Sequence, residues 1–169
     1  MTSTVTTKTY STRQGVSTEK TVSRYRLRLE REEVEHVEVE HRPSAVARFL
    51  WDRVFEHLDR EAVVTAFFGT DGRLTGWNLA YIGGLSGARI EPRGIVVPAL
   101  LANAASIIIA HNHPSGDPTP SKEDITLTRR IAQACQILGL SLKDSLILAE
   151  GRTQQDPPLW TSLRDQLAF

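Results

Sequence analysis

The chain has 169 residues and 40% hydrophobic content, enough to bury one core and too little for a second domain of useful size beside it. Twenty basic and twenty acidic side chains cancel to a formal net charge of zero, so no long-range field draws the protein toward nucleic acid or an anionic membrane. The single cysteine, Cys135, excludes an internal disulfide and a cysteine-based zinc cage; with no apolar run of membrane-spanning length and no apolar leader, a reducing, cytoplasmic setting is expected.

Residues 1–23, "MTSTVTTKTYSTRQGVSTEKTVS", are roughly half serine and threonine, a composition that cannot offset the entropy of ordering, and a disordered tail is expected. A transit peptide competes with that reading but would need an arginine-rich amphipathic face that the stretch lacks. Tyr25, Leu27 and Leu29 then alternate with arginines at the period of a half-buried strand, and the charged run "EREEVEHVEVEH" extends it through Val37 and Val39. His36 and His41 sit among glutamates there, so a metal site is conceivable; a solvated edge strand or loop is the simpler reading, because no turn gathers those side chains.

Ser44 is expected to cap a helix carrying Val46, Phe49, Leu50, Val54 and Leu58 on one stripe. "EAVVTAFF", residues 61–68, reads as a strand covered on both faces, and Asp71-Gly72 turns the chain into a second strand from Leu74 to Ile82. "GGLSG" reads as a flexible loop. Pro92 can open a helix toward Asn103, in which Pro98 predicts a kink or a later start. "ASIIIA" is a further buried strand. Ile125, Thr128, Ile131, Ala132, Cys135 and Leu138 recur at helical spacing until Gly139, which places Cys135 in the core rather than at a reactive site. "LKDSLILA" gives a last central strand, and Trp160–Phe169 a closing segment. Helices and strands in this irregular alternation, with one hairpin, predict a mixed sheet with helices on both faces.

Chemistry concentrates in "HNHPSGDPTPSKED", residues 111–124. Strand residues i and i+2 point the same way, so His111 and His113 at the end of "SIIIA" present two imidazoles on one side of the sheet. Pro114, Gly116, Pro118 and Pro120 force a loop that returns close to its origin, where Ser121 can cap the next helix and Asp124 falls in its first turn. Two imidazoles and a carboxylate leave a zinc ion with one open position, the pattern of a catalytic site. Asp117 is the rival carboxylate, on a less rigid loop. Ser121-Lys-Glu-Asp124 is also a capping-box pattern, and one carboxylate does not easily serve both the cap and a metal. Asn112 points away from the histidines and is expected to be a structural hydrogen-bonding residue.

His-x-His followed at this distance by Ser-x-x-Asp resembles the JAMM motif of JAB/MPN-domain metalloproteases, and "AHNHPSGDPTPS" is similar specifically to the bacterial RadC family. The resemblance covers residues 24–169 and is to the shorter members, without the N-terminal helix-hairpin-helix region. It implies a three-layer, cytidine-deaminase-like α/β fold with a mixed sheet between helices. It also implies a distant catalytic glutamate on an early strand, for which Glu61 occupies the matching place and Glu56 and Glu91 are alternatives.

On that basis His111, His113 and Asp124 would hold Zn2+ and Glu61 would carry the water proton to the leaving amine. Ser121 would donate to the oxyanion, giving hydrolysis of a peptide or isopeptide bond in a protein substrate. Two departures from the family stand out: Asp144-Ser145 replaces the common Asp-His, and "PRG" replaces the usual Pro-Arg-Glu, with Pro98 added. A DNA-associated role is the second reading, from the repair label RadC proteins carry, with Arg93, Arg129 and Arg130 as sparse basic candidates. A module that keeps zinc without turnover is the third.

Overall fold

The computed structural model describes residues 37–83, 90–151, 153 and 156–167. The expected tail at 1–23, the alternation around Tyr25–Leu29, His36 and most of the "GGLSG" loop lie outside the described residues.

Five strands form one sheet in the order β2-β1-β3-β4-β5. They are β1 (Ala62–Phe68), β2 (Leu74–Ile82), β3 (Ser106–Asn112), β4 (Ser141–Ala149) and β5 (Leu159–Ser162). Only β3 and β4 are parallel, joined across α3 (Lys122–Ile137); every other neighbouring pair is antiparallel, so the sheet is mixed. All seven residues of β1 and of β3 are buried, as continuous apolar runs covered on both faces require. Period-two alternation then divides the core. Val64, Ala66, Phe68, Ile108, Leu146 and Leu148 face α1 (Pro43–Arg53) through Val46, Ala47 and Leu50. Val63, Phe67, Ile107 and Ile109 face α2 (Pro92–Leu101) and α3 through Ile95, Ala99, Ile131 and Cys135. Helices therefore cover both faces, which makes the three layers of the expected α/β fold.

Two local expectations are corrected. Ser44 does not cap α1: the helix starts at Pro43 with Arg42 as an uncapped N-cap residue. Pro43 supplies the helical φ and has no N–H to satisfy, which makes a side-chain cap less necessary. The helix also stops at Arg53, so Val54 and Leu58 of the expected stripe flank a separate 3-10 turn, Phe55–His57, whose Phe55 is part of the core. Pro98 does not delay α2, which begins at Pro92 and runs through Pro98 to Leu101. Gly94 in that helix lies so close to the Tyr81 hydroxyl that any side chain there would require the tyrosine to shift. The Tyr81 hydroxyl in turn donates to the Glu91 carbonyl at 3.0 Å.

Among the described residues His41 joins no cluster that could hold a metal, and its Nδ1 faces the Gly72 carbonyl at 3.2 Å, beside the isolated bridge between Glu40 and Arg73. The closing segment divides into β5, paired with β4, and the short helix α4 (Arg164–Leu167). Among the described residues no helix is long and apolar enough to cross a membrane.

Candidate metal centre

β3 delivers its two histidines where the parallel strands β3 and β4 end and α3 begins. His111 is inside the strand and buried, and His113 follows one residue past its end, partly buried. The chain then turns through a bond from Gly116 N–H to the His113 carbonyl at 3.1 Å, with Gly116 at φ +80, where an L side chain would be strained. Asp117 and Thr119 carry the loop back to Ser121.

Ser121 is the N-cap of α3, and Asp124 at N3 completes a full capping box. Ser121 Oγ accepts from the Asp124 N–H at 3.1 Å, and Asp124 Oδ2 accepts from the Ser121 N–H at 2.8 Å and from its hydroxyl at 2.6 Å. The capping box itself engages Oδ2 alone. This leaves Oδ1 outside the box, 3.0 Å from His111 Nε2.

That separation is short enough for a hydrogen bond, yet Oδ1 is a buried oxygen with no partner in bonding geometry, so the contact is one of distance only. His113 Nε2 lies 3.5 Å from Asp124 Oδ2 and 3.1 Å from His111 Nε2. One ligand atom from each of the three side chains lies within 4.8 Å of the others, close enough to share one ion. His111, His113 and Asp124 are the one cluster among the described residues that could hold a metal ion. An orphaned buried carboxylate oxygen beside one imidazole nitrogen, with a second imidazole against the same carboxylate, fits a cation.

The outer contacts set the donor atoms. Asp117 does not compete as a ligand: its carboxylate accepts from Thr119 N–H at 2.9 Å and Thr119 Oγ1 at 2.6 Å. Its carbonyl, 2.8 Å from His113 Nδ1, can only accept, which puts a proton on Nδ1 and turns Nε2 toward Asp124. Sequence reasoning missed this role because it belongs to the backbone.

The electrostatics agree with the geometry. Burial would raise the Asp124 carboxyl, but the hydrogen-bonding reach of His111 and His113, the charge of His111 and the Ser121 bond outweigh it. They hold it far below the usual carboxylate range. His113 is raised above the usual imidazole value, first by Asp124, against burial, with help from the Asp117 carbonyl and the charges of Asp124 and Glu61.

Glu61 immediately precedes β1. Val63 stands opposite His111 in the last β1–β3 pair, and the Glu61 charge two residues before it helps raise His113. Glu91 is committed elsewhere, 3.4 Å from Arg130, and Glu56 lines a cleft of about 310 Å³ that also meets His113, Pro114 and Glu150. Ser145, where the family commonly has histidine, hydrogen-bonds Thr128 at 2.9 Å, one helical turn beyond Asp124, and ties α3 to β4. Cys135 is buried, which pushes its thiol up to about 11.

A sequence model described as the RadC-like JAB domain matches residues 40–158. A UPF0758 protein of Carboxydothermus hydrogenoformans is 47% identical over 96 residues, which are 57% of this chain and 42% of that protein. One from Moorella thermoacetica is 40% identical over 124 residues, 73% of this chain and 51% of the relative. One from Aquifex aeolicus is 40% identical over 110 residues, 65% of this chain and 47% of the relative. The chain thus spans about half the length of these curated relatives.

Proposed function

Starting from the fact that this chain belongs to the RadC-like JAB domain family, we propose that it is a zinc-dependent hydrolase that cleaves a peptide or isopeptide bond. The observation that carries this reading is Asp124 Oδ1, a buried carboxylate oxygen without a hydrogen bond, 3.0 Å from His111 Nε2, which itself lies 3.1 Å from His113 Nε2. Zinc bound there by His111, His113 and Asp124 would supply a Lewis acid for the scissile carbonyl and a water activated at neutral pH.

The chain's own groups divide the remaining work. Glu61, whose charge acts on His113, takes a proton from the attacking water on its carboxylate and returns it to the leaving amine. Ser121 donates to the developing oxyanion. In the present arrangement its hydroxyl proton lies on Asp124 Oδ2, so that role requires the hydroxyl to rotate; Oδ2 then keeps the bond from the Ser121 N–H. The Asp117 carbonyl keeps His113 Nε2 available as a ligand.

Elemental analysis of the purified protein tests the site. About one zinc per chain in the wild type, absent from His113→Ala and Asp124→Ala, is expected. A wild type that remains metal-free after zinc is offered and the excess removed would overturn the reading. With zinc established, a screen of peptide and isopeptide substrates takes Glu61→Gln as its metal-loaded, inactive control.

A further inference from the structure

We propose that Asn112, which separates the two histidines, is a positioning residue for Glu61. Asn112 is 3% exposed and is the last residue of β3. Its Oδ1 accepts from the Ala62 N–H at 2.8 Å, and its Nδ2 donates to the Arg60 carbonyl at 3.1 Å. Those two backbone groups flank Glu61. On the other side, Gly83 N–H donates to the carbonyl of Glu61 itself at 2.8 Å.

The backbone of β3 does not make these bonds: the next N–H, at His113, belongs to the β4 ladder and donates to Leu148 O at 2.8 Å, and the Ala62 N–H is taken by the carboxamide. The carboxamide replaces the missing rung of the ladder. It needs a donor and an acceptor on one short planar group, which aspartate lacks and glutamine carries a methylene further out. The result is a direct tie between the strand that bears the histidines and the backbone that bears the glutamate, so ligands and base keep one relative placement. This inference rests on the reading of Glu61 as the base.

Cobalt(II) offered to the metal-free protein tests it without a substrate, since its visible absorption responds to the groups around the metal. Glu61→Gln is expected to bind cobalt as the wild type does and to shift the visible band. Asn112→Ala is expected to hold about one cobalt per chain and to shift the band the same way, by at least about half as much, with no further shift in the Glu61→Gln background. A wild-type spectrum in Asn112→Ala, or an equal shift with and without Glu61, overturns the positioning role alone.

An unchanged spectrum in cobalt-loaded Glu61→Gln removes the base assignment first, and the positioning role with it. Should Asn112→Ala not fold, Asn112→Ser, polar but too short to span both groups, carries the same comparison. Failure of both variants to fold assigns Asn112 to the fold and overturns the proposal.

Discussion

The molecule buries two carboxylates to the same depth, Asp124 and Asp144, each 1% exposed and each beside a serine at the start of a helix, and it treats them in opposite ways. Inside β4, Asp144 accepts from Ser162 Oγ at 2.9 and 2.8 Å, from Ser145 N–H at 2.7 Å and from Arg164 N–H at 3.3 Å. Both of its oxygens are satisfied by neutral donors, which pin β5 and α4 to the sheet. Burial prevails there and raises the carboxyl above its usual value.

Asp124 is satisfied on one oxygen and left bare on the other, against two imidazoles that hold its carboxyl low. Depth of burial therefore does not separate a structural acid from a ligand. The completeness of its hydrogen bonds and the chemistry of its neighbours do.

The largest effect expected from this contrast is on metal. Asp124→Ala should reduce zinc from about one per chain to none, and Asp144→Ala should leave it at about one, both read by elemental analysis. Zinc loss in Asp144→Ala would break the comparison. Stability should respond in the reverse sense. In denaturant titrations of the metal-free protein, Asp144→Ala should cost about 2–4 kcal/mol, because three donors lose their acceptor. Asp124→Ala should cost nearer 1 kcal/mol, about the value of a helix cap.

The pH dependence of stability should separate the pair again. Asp124 is lowered in the folded protein, so its contribution is complete above the unfolded value of about 3.9 and is lost as pH falls below it. Asp144 is raised, so its contribution is complete below about 3.9 and is lost as pH rises through its folded value. Asp124→Asn should flatten the acid limb of a stability profile, and Asp144→Asn the limb just above it.

His113, raised in the metal-free protein, stabilises the fold below about pH 6.5 and loses that contribution as pH rises through its folded value. Zinc requires the neutral ring, so zinc affinity should weaken as pH falls through the same range, measurable by competition with a chelator. The smallest expected effect is at the serines: Ser121→Ala and Ser162→Ala should each cost about 1 kcal/mol, with reduced zinc affinity only in the first.

Much of the metal site was legible because it is local. Strand period two puts His111 and His113 on one face, and a proline-bounded loop ending at Ser121 sets Asp124 in the first turn of α3; each step spans a few residues. The buried runs of β1 and β3 were equally plain, and β2 has the expected limits of Leu74 and Ile82. Ser44 misled because it is a good capping residue with Pro43 before it, and the proline had already set the first turn. Of the two expectations for Pro98, the later start does not occur: burial of Ile95, Val96 and Ala99 accompanies a helix that begins at Pro92.

The sequence by itself determined that two imidazoles and a carboxylate would meet at the junction of a strand and a helix, because steric periodicity and capping act over one or two turns. Only the tertiary structure decided how Asp124 shares its two oxygens between the cap and the histidines. It also decided that the Asp117 carbonyl orients His113 and that Asn112 reaches the backbone on both sides of Glu61. Asn112 and Ala62 are fifty residues apart in the chain, and what joins them is the register of β1 on β3, fixed by which side chains each face buries.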